Sequence, residues 1–140
     1  MRASFERQQF MTLLGARLER VAAGEVCIRL PFQPALTQQH GFLHAGVVAS
    51  VVDSACGYAA LTLMEPGAAV LSVEFKINLL APARGREFAA VGRVVRAGRT
   101  LTVCTGEVRA LPDGDGGDEV PVAIMQATLM AVRERGGLSD

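Results

Sequence analysis

One carboxylate, Asp53, stands near the middle of a run, residues 45 to 64, that is otherwise almost entirely apolar or small. An ionised Asp among apolar helical neighbours is unfavourable unless it is paired or reached by water in a cavity. Such a group is kept for chemistry or as a hydrogen-bond hub. Just before the run, Thr37 to His44 (Thr-Gln-Gln-His-Gly-Phe-Leu-His) carries Gln38, Gln39, His40 and His44. The start of a helix presents unpaired N–H groups and the positive end of the helix dipole, which suit a developing oxyanion. A carboxylate can act as nucleophile or as general base. A polar loop, a helix N-terminus and a buried carboxylate are together the parts of an active site.

Other chemistries find less support. The three cysteines, Cys27, Cys56 and Cys104, match no metal-ligand spacing. Cys56 follows Asp53 by about one helical turn, but nothing near it in sequence supplies an activating base. Asp113, Asp115 and Asp118 lie among glycines without the glycine and glutamate spacing of a calcium loop, so a solvated hairpin loop is expected. Gly41 to Gly46 lacks the Lys-Ser or Lys-Thr of a phosphate loop. The 14 basic residues balance 14 acidic ones, are scattered and include a single lysine, Lys76, which gives no footing for nucleic acid. An odd cysteine count and a polar, amphipathic N-terminus unlike a signal peptide point to reduced thiols in the cytoplasm. The run from 45 to 64 is long enough to span a bilayer. Asp53 at its centre and the absence of flanking Lys or Arg clusters argue instead for a helix buried by its own sheet.

The elements that must position these residues follow from pattern. At 140 residues, half of them hydrophobic and 20% charged, the chain is sized for a single domain over 1–140. Residues 4 to 14 read as a short N-terminal helix capped by Ser4, with Phe5, Phe10, Met11, Leu13 and Leu14 on one stripe and Gly15 ending it. Two short strands between Ala16 and Pro31 turn near Ala23-Gly24, with Val26, Ile28 and Leu30 on one face. A long helix from 45 to 63, apolar on every side and hence enclosed, stops before Glu65-Pro66-Gly67. Four strands follow: Ala69 to Leu80, Arg86 to Arg96, Thr100 to Leu111 and Val120 to Arg133. Ala97-Gly98-Arg99 is a tight hairpin, and Pro112 to Glu119 a flexible acidic loop. Gly92 and Gly106, inside strands, mark a bulge, a bend or a close backbone approach. Residues 134–140 form a loose tail. The resulting class is α+β: a long central helix wrapped by one curved antiparallel sheet of five to six strands.

The segment Gln38-Gln39-His40-Gly41-Phe42-Leu43-His44-Ala45-Gly46, with Asp53 nine positions after His44, resembles the signature of hotdog-fold acyl-CoA thioesterases. The phenylacetate-pathway and aryl-CoA types are the most similar. Leu71 to Ala83 (Leu-Ser-Val-Glu-Phe-Lys-Ile-Asn-Leu-Leu-Ala-Pro-Ala) resembles that family's strand after the helix, which ends in Pro and often carries an active-site Ser or Thr. The resemblance spans about residues 15 to 132. It departs at Ala45, where the family has Gly; alanine still supplies a backbone N–H, and its methyl group narrows the pocket.

The resemblance implies hydrolysis of an acyl- or aroyl-CoA thioester without metal or redox cofactor, coenzyme A being part of the substrate. The Ala45 N–H would be the oxyanion donor, assisted or oriented by Gly46 and His44. Gln38 would hold the water or polarise the carbonyl, and Asp53 would serve as nucleophile or general base. Ser72 is either a plain strand residue or a hydrogen-bond donor to Asp53 or the water. His44 either orients the loop or touches substrate, and His40 either lines the pocket or lies on the loop surface. Arg84, Arg86, Arg96 and Arg99 are candidates for the phosphates of coenzyme A.

Helix geometry adds a constraint of its own. Ala45 and Asp53, eight residues apart, are separated by about 12 Å at about 1.5 Å per residue. One thioester carbonyl cannot touch both. If both act on it they come from different subunits, so a homodimer with shared sites is expected, with a tetramer as a dimer of dimers a further option. Two rival functions are a hotdog enoyl-CoA hydratase or dehydratase, and a non-catalytic acyl-CoA-binding module. Free thiol release, against hydration of an enoyl ester or binding alone, separates them.

Overall fold

A computed structural model describes residues 1–112 and 117–133. The expected tail at 134–140 and the 113–116 part of the acidic loop lie outside the described residues. Two short helices, α1 (Arg2–Glu6) and α2 (Gln9–Leu13), lead into strands β1 (Arg17–Ala22) and β2 (Glu25–Pro31). A single 3-10 turn (Pro34–Leu36) and the polar loop precede the long helix α3 (Ala45–Leu61). Strands β3 (Ala69–Leu79), β4 (Glu87–Ala97), β5 (Leu101–Leu111) and β6 (Val120–Val132) complete the chain. All six strands form one antiparallel sheet in the order β1-β2-β4-β5-β6-β3. No helix among the described residues is long and apolar enough to cross a membrane.

The sheet curls around α3, and the core fills the space between them. Val26, Ile28 and Leu30 of β2 are fully buried, as their alternation required, and meet Val48, Val51, Val52, Ala55 and Ala59 of the helix within one cluster. Small residues bring helix and sheet unusually close. A Cβ on Gly92 would stand 2.4 Å from the backbone carbonyl of Ala55, and one on Gly106 would stand 2.5 Å from a methyl of Val52. Both glycines therefore mark the close approach.

Two expectations change. Residues 4–14 are not one helix: Gln8 adopts an extended conformation (φ −74°, ψ 95°) between α1 and α2. Ser4 lies inside α1 and is buried, its hydroxyl 3.2 Å from the Tyr58 hydroxyl, so it is no N-cap. Phe5 packs edge-on against Tyr58 with ring centroids 5.6 Å apart, while Phe10 and Leu13 face solvent. Docking Phe5 and Ser4 on α3 and Met11 and Leu14 in the core requires the break. Nor is α3 enclosed on every side. Its Ala45–Gly46 start is exposed, and Ala49, Ser50, Asp53 and Ser54 are only half-buried. These positions follow the helical repeat along one face, which the chain's own sheet does not cover.

Strand β3 is an edge. Val73, Phe75 and Leu79 remain 54%, 46% and 54% exposed. A bulge between Ser72 and Glu74 shifts the pairing with β6, so that Ser72 opposes Leu129 and Phe75 opposes Ala127. Leu129 and Ala127 both point into the core, and directly opposed residues share a face. Ser72 and Phe75, three positions apart, therefore both point toward the helix side.

The two close approaches differ in what an added methyl would strike. Gly92→Ala meets helix backbone, which cannot rotate away, whereas Gly106→Ala meets the Val52 methyl and the Cys56 sulfur. Overpacking of this kind destabilises by about 1–3 kcal/mol. Chemical denaturation is expected to show Gly92→Ala as the more damaging of the two; the reverse order would contradict the packing described here.

Candidate active site

The loop before α3 is held by its own backbone. Gln38 and Phe42 are joined by a hydrogen bond from the Gln38 N–H (2.9 Å), and the Gly41 N–H donates to the Gln38 carbonyl (3.0 Å). Gly41 has φ +82°, a left-handed conformation that favours glycine. The Gln38 side-chain oxygen accepts from the His40 backbone N–H, which fixes the amide at the cleft wall. The His44 N–H donates to the Leu36 carbonyl (2.9 Å), locking the loop end to the 3-10 turn.

His44 is the N-cap of α3, and its Nδ1 accepts from the Gly46 N–H at 2.9 Å. Nδ1 must therefore be unprotonated, so a neutral ring carries its proton on Nε2. A Cβ on Gly46 would press on that ring at 3.0 Å, a tight fit that glycine avoids. The Gly46 N–H is thus already engaged, and the first N–H of the helix, that of Ala45, has no intrahelical acceptor. Ala45 and Gln38 line a cleft of about 510 Å3 whose other walls are apolar, among them Phe42, Val48, Leu79, Leu80 and Val122.

Asp53 opens into a different cleft. Its Oδ1 accepts from the Ser72 hydroxyl at 2.7 Å. The surrounding space is about 140 Å3 and is lined also by Gln8, Ser54, Gly57, Tyr58 and Val70. No residue lines both clefts. Burial pushes the Asp53 carboxyl above the usual carboxylate range, and the Ser72 hydrogen bond offsets part of that rise. Burial also raises the thiols, Cys27 and Cys104 to about 11 and Cys56 still further. They are poor nucleophiles at neutral pH.

The remaining candidates divide. The Arg84 guanidinium lies over the Phe42 ring, 5.2 Å from its centroid, at the edge of the larger cleft. Arg84 and Arg86 share an adjoining depression with Phe32 and Gly41, and Arg86 Nε donates to the Pro112 carbonyl at 3.2 Å. Arg96 and Arg99 sit at the β4–β5 hairpin and His40 on the loop surface; none of the three lines either cleft. A broader depression of about 600 Å3 on the outer sheet face includes Lys76, Arg93 and Glu107. Its charges are occupied locally: Lys76 with Asn78, Arg93 with Glu25, Glu107 with Arg109. It lies away from the carboxylate and the helix start. Among the described residues no three His, Cys, Asp or Glu side chains converge on a point that could hold a metal.

Sequence reading missed Gln8, Ser54 and Tyr58 beside Asp53. Ser54 and Tyr58 lie on the helix with Asp53, and a helical projection would have found them. Nothing local marks Gln8, which arrives through the fold of the N-terminus.

Residues 40–116 match the thioesterase superfamily model. A thioesterase family protein from Silicibacter pomeroyi has a structure that superposes with TM-score 0.90 at 56% identity, covering 94% of each chain. A Halobacterium salinarum protein named as an esterase is 32% identical over 131 residues, 89% of this chain and 85% of that one. Human acyl-coenzyme A thioesterase 13 is 30% identical over 103 residues, 72% of this chain and 73% of its own. The Escherichia coli PaaI protein, at 19% identity and TM-score 0.81 over 94% of this chain and 89% of that one, shares the fold. The chain belongs to the thioesterase superfamily, and its architecture is the hotdog fold.

Because the folded-state pKa of Asp53 lies above its ordinary value, ionisation opposes folding. The penalty is absent at low pH, grows as pH rises from the unfolded carboxylate value through the folded one, and is constant above it. Asp53→Asn keeps an acceptor for Ser72 without the charge. Thermal melts are expected to show this variant more stable than the parent at neutral pH, with the gain disappearing in acid. An equal gain at both extremes would contradict desolvation as its cause.

Proposed function

We propose that the protein hydrolyses an acyl- or aroyl-CoA thioester to the free acid and coenzyme A. The observation that carries this reading is the division of the chemistry between two clefts. Ala45 and Gln38 stand at one, and Asp53 and Ser72 at the other, about 12 Å along one helix at about 1.5 Å per residue. Neither half suffices alone. The half-buried face of α3 and the open edge of β3, with its apolar side chains, offer a second copy of the chain a surface beside both clefts. In the dimer so formed, the Ala45 N–H and Gln38 of one subunit face Asp53 of the partner subunit, and there are two such sites.

The thioester carbonyl oxygen lies at the Ala45 N–H, where the helix dipole and the unpaired donor stabilise the tetrahedral oxyanion. Gln38 holds the carbonyl or the attacking water. As general base, Asp53 takes a proton from water; as nucleophile, it forms a mixed anhydride that water then opens. Its raised pKa brings it nearer to neutrality, which favours the base role. Ser72 fixes the carboxylate by holding one oxygen. The acyl or aroyl group lies against Phe42, Val48, Leu79 and Leu80, and the phosphates of coenzyme A reach Arg84 and Arg86 past the loop.

Shared sites have a distinctive signature. Asp53→Ala and Gln38→Ala are each expected to abolish or nearly abolish release of free thiol from acyl- and aroyl-CoA esters. Mixing the two dissociated variants and reassociating them restores one intact site in each mixed dimer. Random pairing of symmetric subunits then recovers about a quarter of parental activity. Full activity in Asp53→Ala would sink the mechanism, and no recovery on mixing would sink the shared site.

A further inference from the structure

The break between α1 and α2 falls at Gln8, which lines the cleft of Asp53. The Gln8 N–H donates to the Phe5 carbonyl at 3.0 Å, and the Gln8 carbonyl accepts from the Thr12 N–H at 3.1 Å and from the Thr12 hydroxyl at 3.3 Å. These bonds fix the backbone of Gln8 at the wall of that cleft. Phe5 and Ser4, three and four residues earlier, anchor the segment on Tyr58, another wall of the same cleft. The N-terminus therefore adds a polar residue to the cleft of the carboxylate, from outside the long helix and the sheet.

The dimensions of the cleft say what it can hold. At about 140 Å3 it is far smaller than the cleft at Ala45. The cleft has room for several waters, and an ordered water needs polar partners. Gln8, Ser54, Ser72 and Asp53 supply them. Ser72 occupies one oxygen of the carboxylate, leaving the other to take a proton.

From this arrangement we infer that the small cleft is the water-supply side of Asp53, and that Gln8 is a positioning residue whose amide orders the water delivered to the carboxylate. The inference rests on the thioesterase reading. Hydrolysis consumes one water: its oxygen bonds to the carbonyl carbon, the C–S bond breaks, and its two protons end on the acid and the thiol. Base catalysis needs that water at the attack, and the anhydride route needs it at the second step. Gln8 serves either. The titratable groups nearest Asp53 are Cys56 and Tyr58 on α3. Next to Gln8, Glu6 and Arg7 face solvent, and β3 contributes the uncharged Ser72.

The experiment pairs steady-state kinetics with direct titration of Asp53 by carboxyl carbon NMR in Gln8→Leu and Gln8→Glu, after thermal melts show both folded. Loss of water positioning in Gln8→Leu is expected to lower kcat by about 10- to 100-fold while KM stays within about twofold, since substrate binds in the other cleft. Gln8→Glu adds a second carboxylate to the cleft and is expected to raise the Asp53 midpoint by about one unit. An unmoved midpoint in Gln8→Glu, or an unchanged kcat in Gln8→Leu against an active parent, overturns the inference and leaves the thioesterase reading standing. A parent inert toward every thioester overturns the reading, and the inference with it.

Discussion

The near-contact of α3 with β4 and β5 is the constraint on which the rest depends. With Gly92 under Ala55 and Gly106 under Val52, the helix sits so deep in the sheet that its opposite face cannot be reached by the same six strands. Depth and exposure are two results of one packing choice. Had the sheet stood farther off on large side chains, the helix would sit less deep and its open face would stand elsewhere. The glycines fix the rotation, and rotation decides that Asp53 meets Ser72 rather than the core.

That depth also shapes the electrostatics. Asp53 lies on the boundary between core and open face, buried enough for its charge to be disfavoured and open enough to be reached by water. A carboxylate wholly in the core would be held protonated; one wholly on the surface would keep its ordinary pKa. At the other end, His44 engages the second N–H of the helix and leaves the first unpaired. One helix thus carries an unpaired N–H at its start and a half-buried carboxylate at its middle, held apart by hydrogen-bonded backbone.

Much of this was legible in the sequence. The strands and the helix announced themselves by periodicity, and their ends fell within two residues of expectation because glycine and proline mark them plainly. Gly92 and Gly106 could be flagged because a strand interior seldom keeps glycine without a neighbour that needs the room. Two of the failures share a cause: each depended on contacts between distant segments. The apolar stripe of 4–14 satisfied a helical template, yet the chain breaks at Gln8, with Phe5 and Ser4 against Tyr58, and Met11 and Leu14 elsewhere in the same core. The composition of α3 read as enclosed, because small residues such as Ala49 and Ser50 look alike whether they face a sheet or open space. The role of His44 stayed open until its ring nitrogen could be seen to face an N–H two residues on.

The bulge between Ser72 and Glu74 divides β3 into two stretches. Side chains on a strand alternate strictly, so a serine at 72 and a phenylalanine at 75 would ordinarily face opposite ways. The extra residue, Val73, resets the alternation, and a single strand carries two phases. The first phase serves Asp53 through Ser72; the second, running through Phe75 and Ile77 to Leu79, leads to the wall of the apolar cleft. Each stretch can therefore drift in sequence without dragging the other out of alignment. The later residues can change the wall of the apolar cleft while the contact with the carboxylate stays in place. The irregularity works as a joint between two independently adjustable parts of one strand.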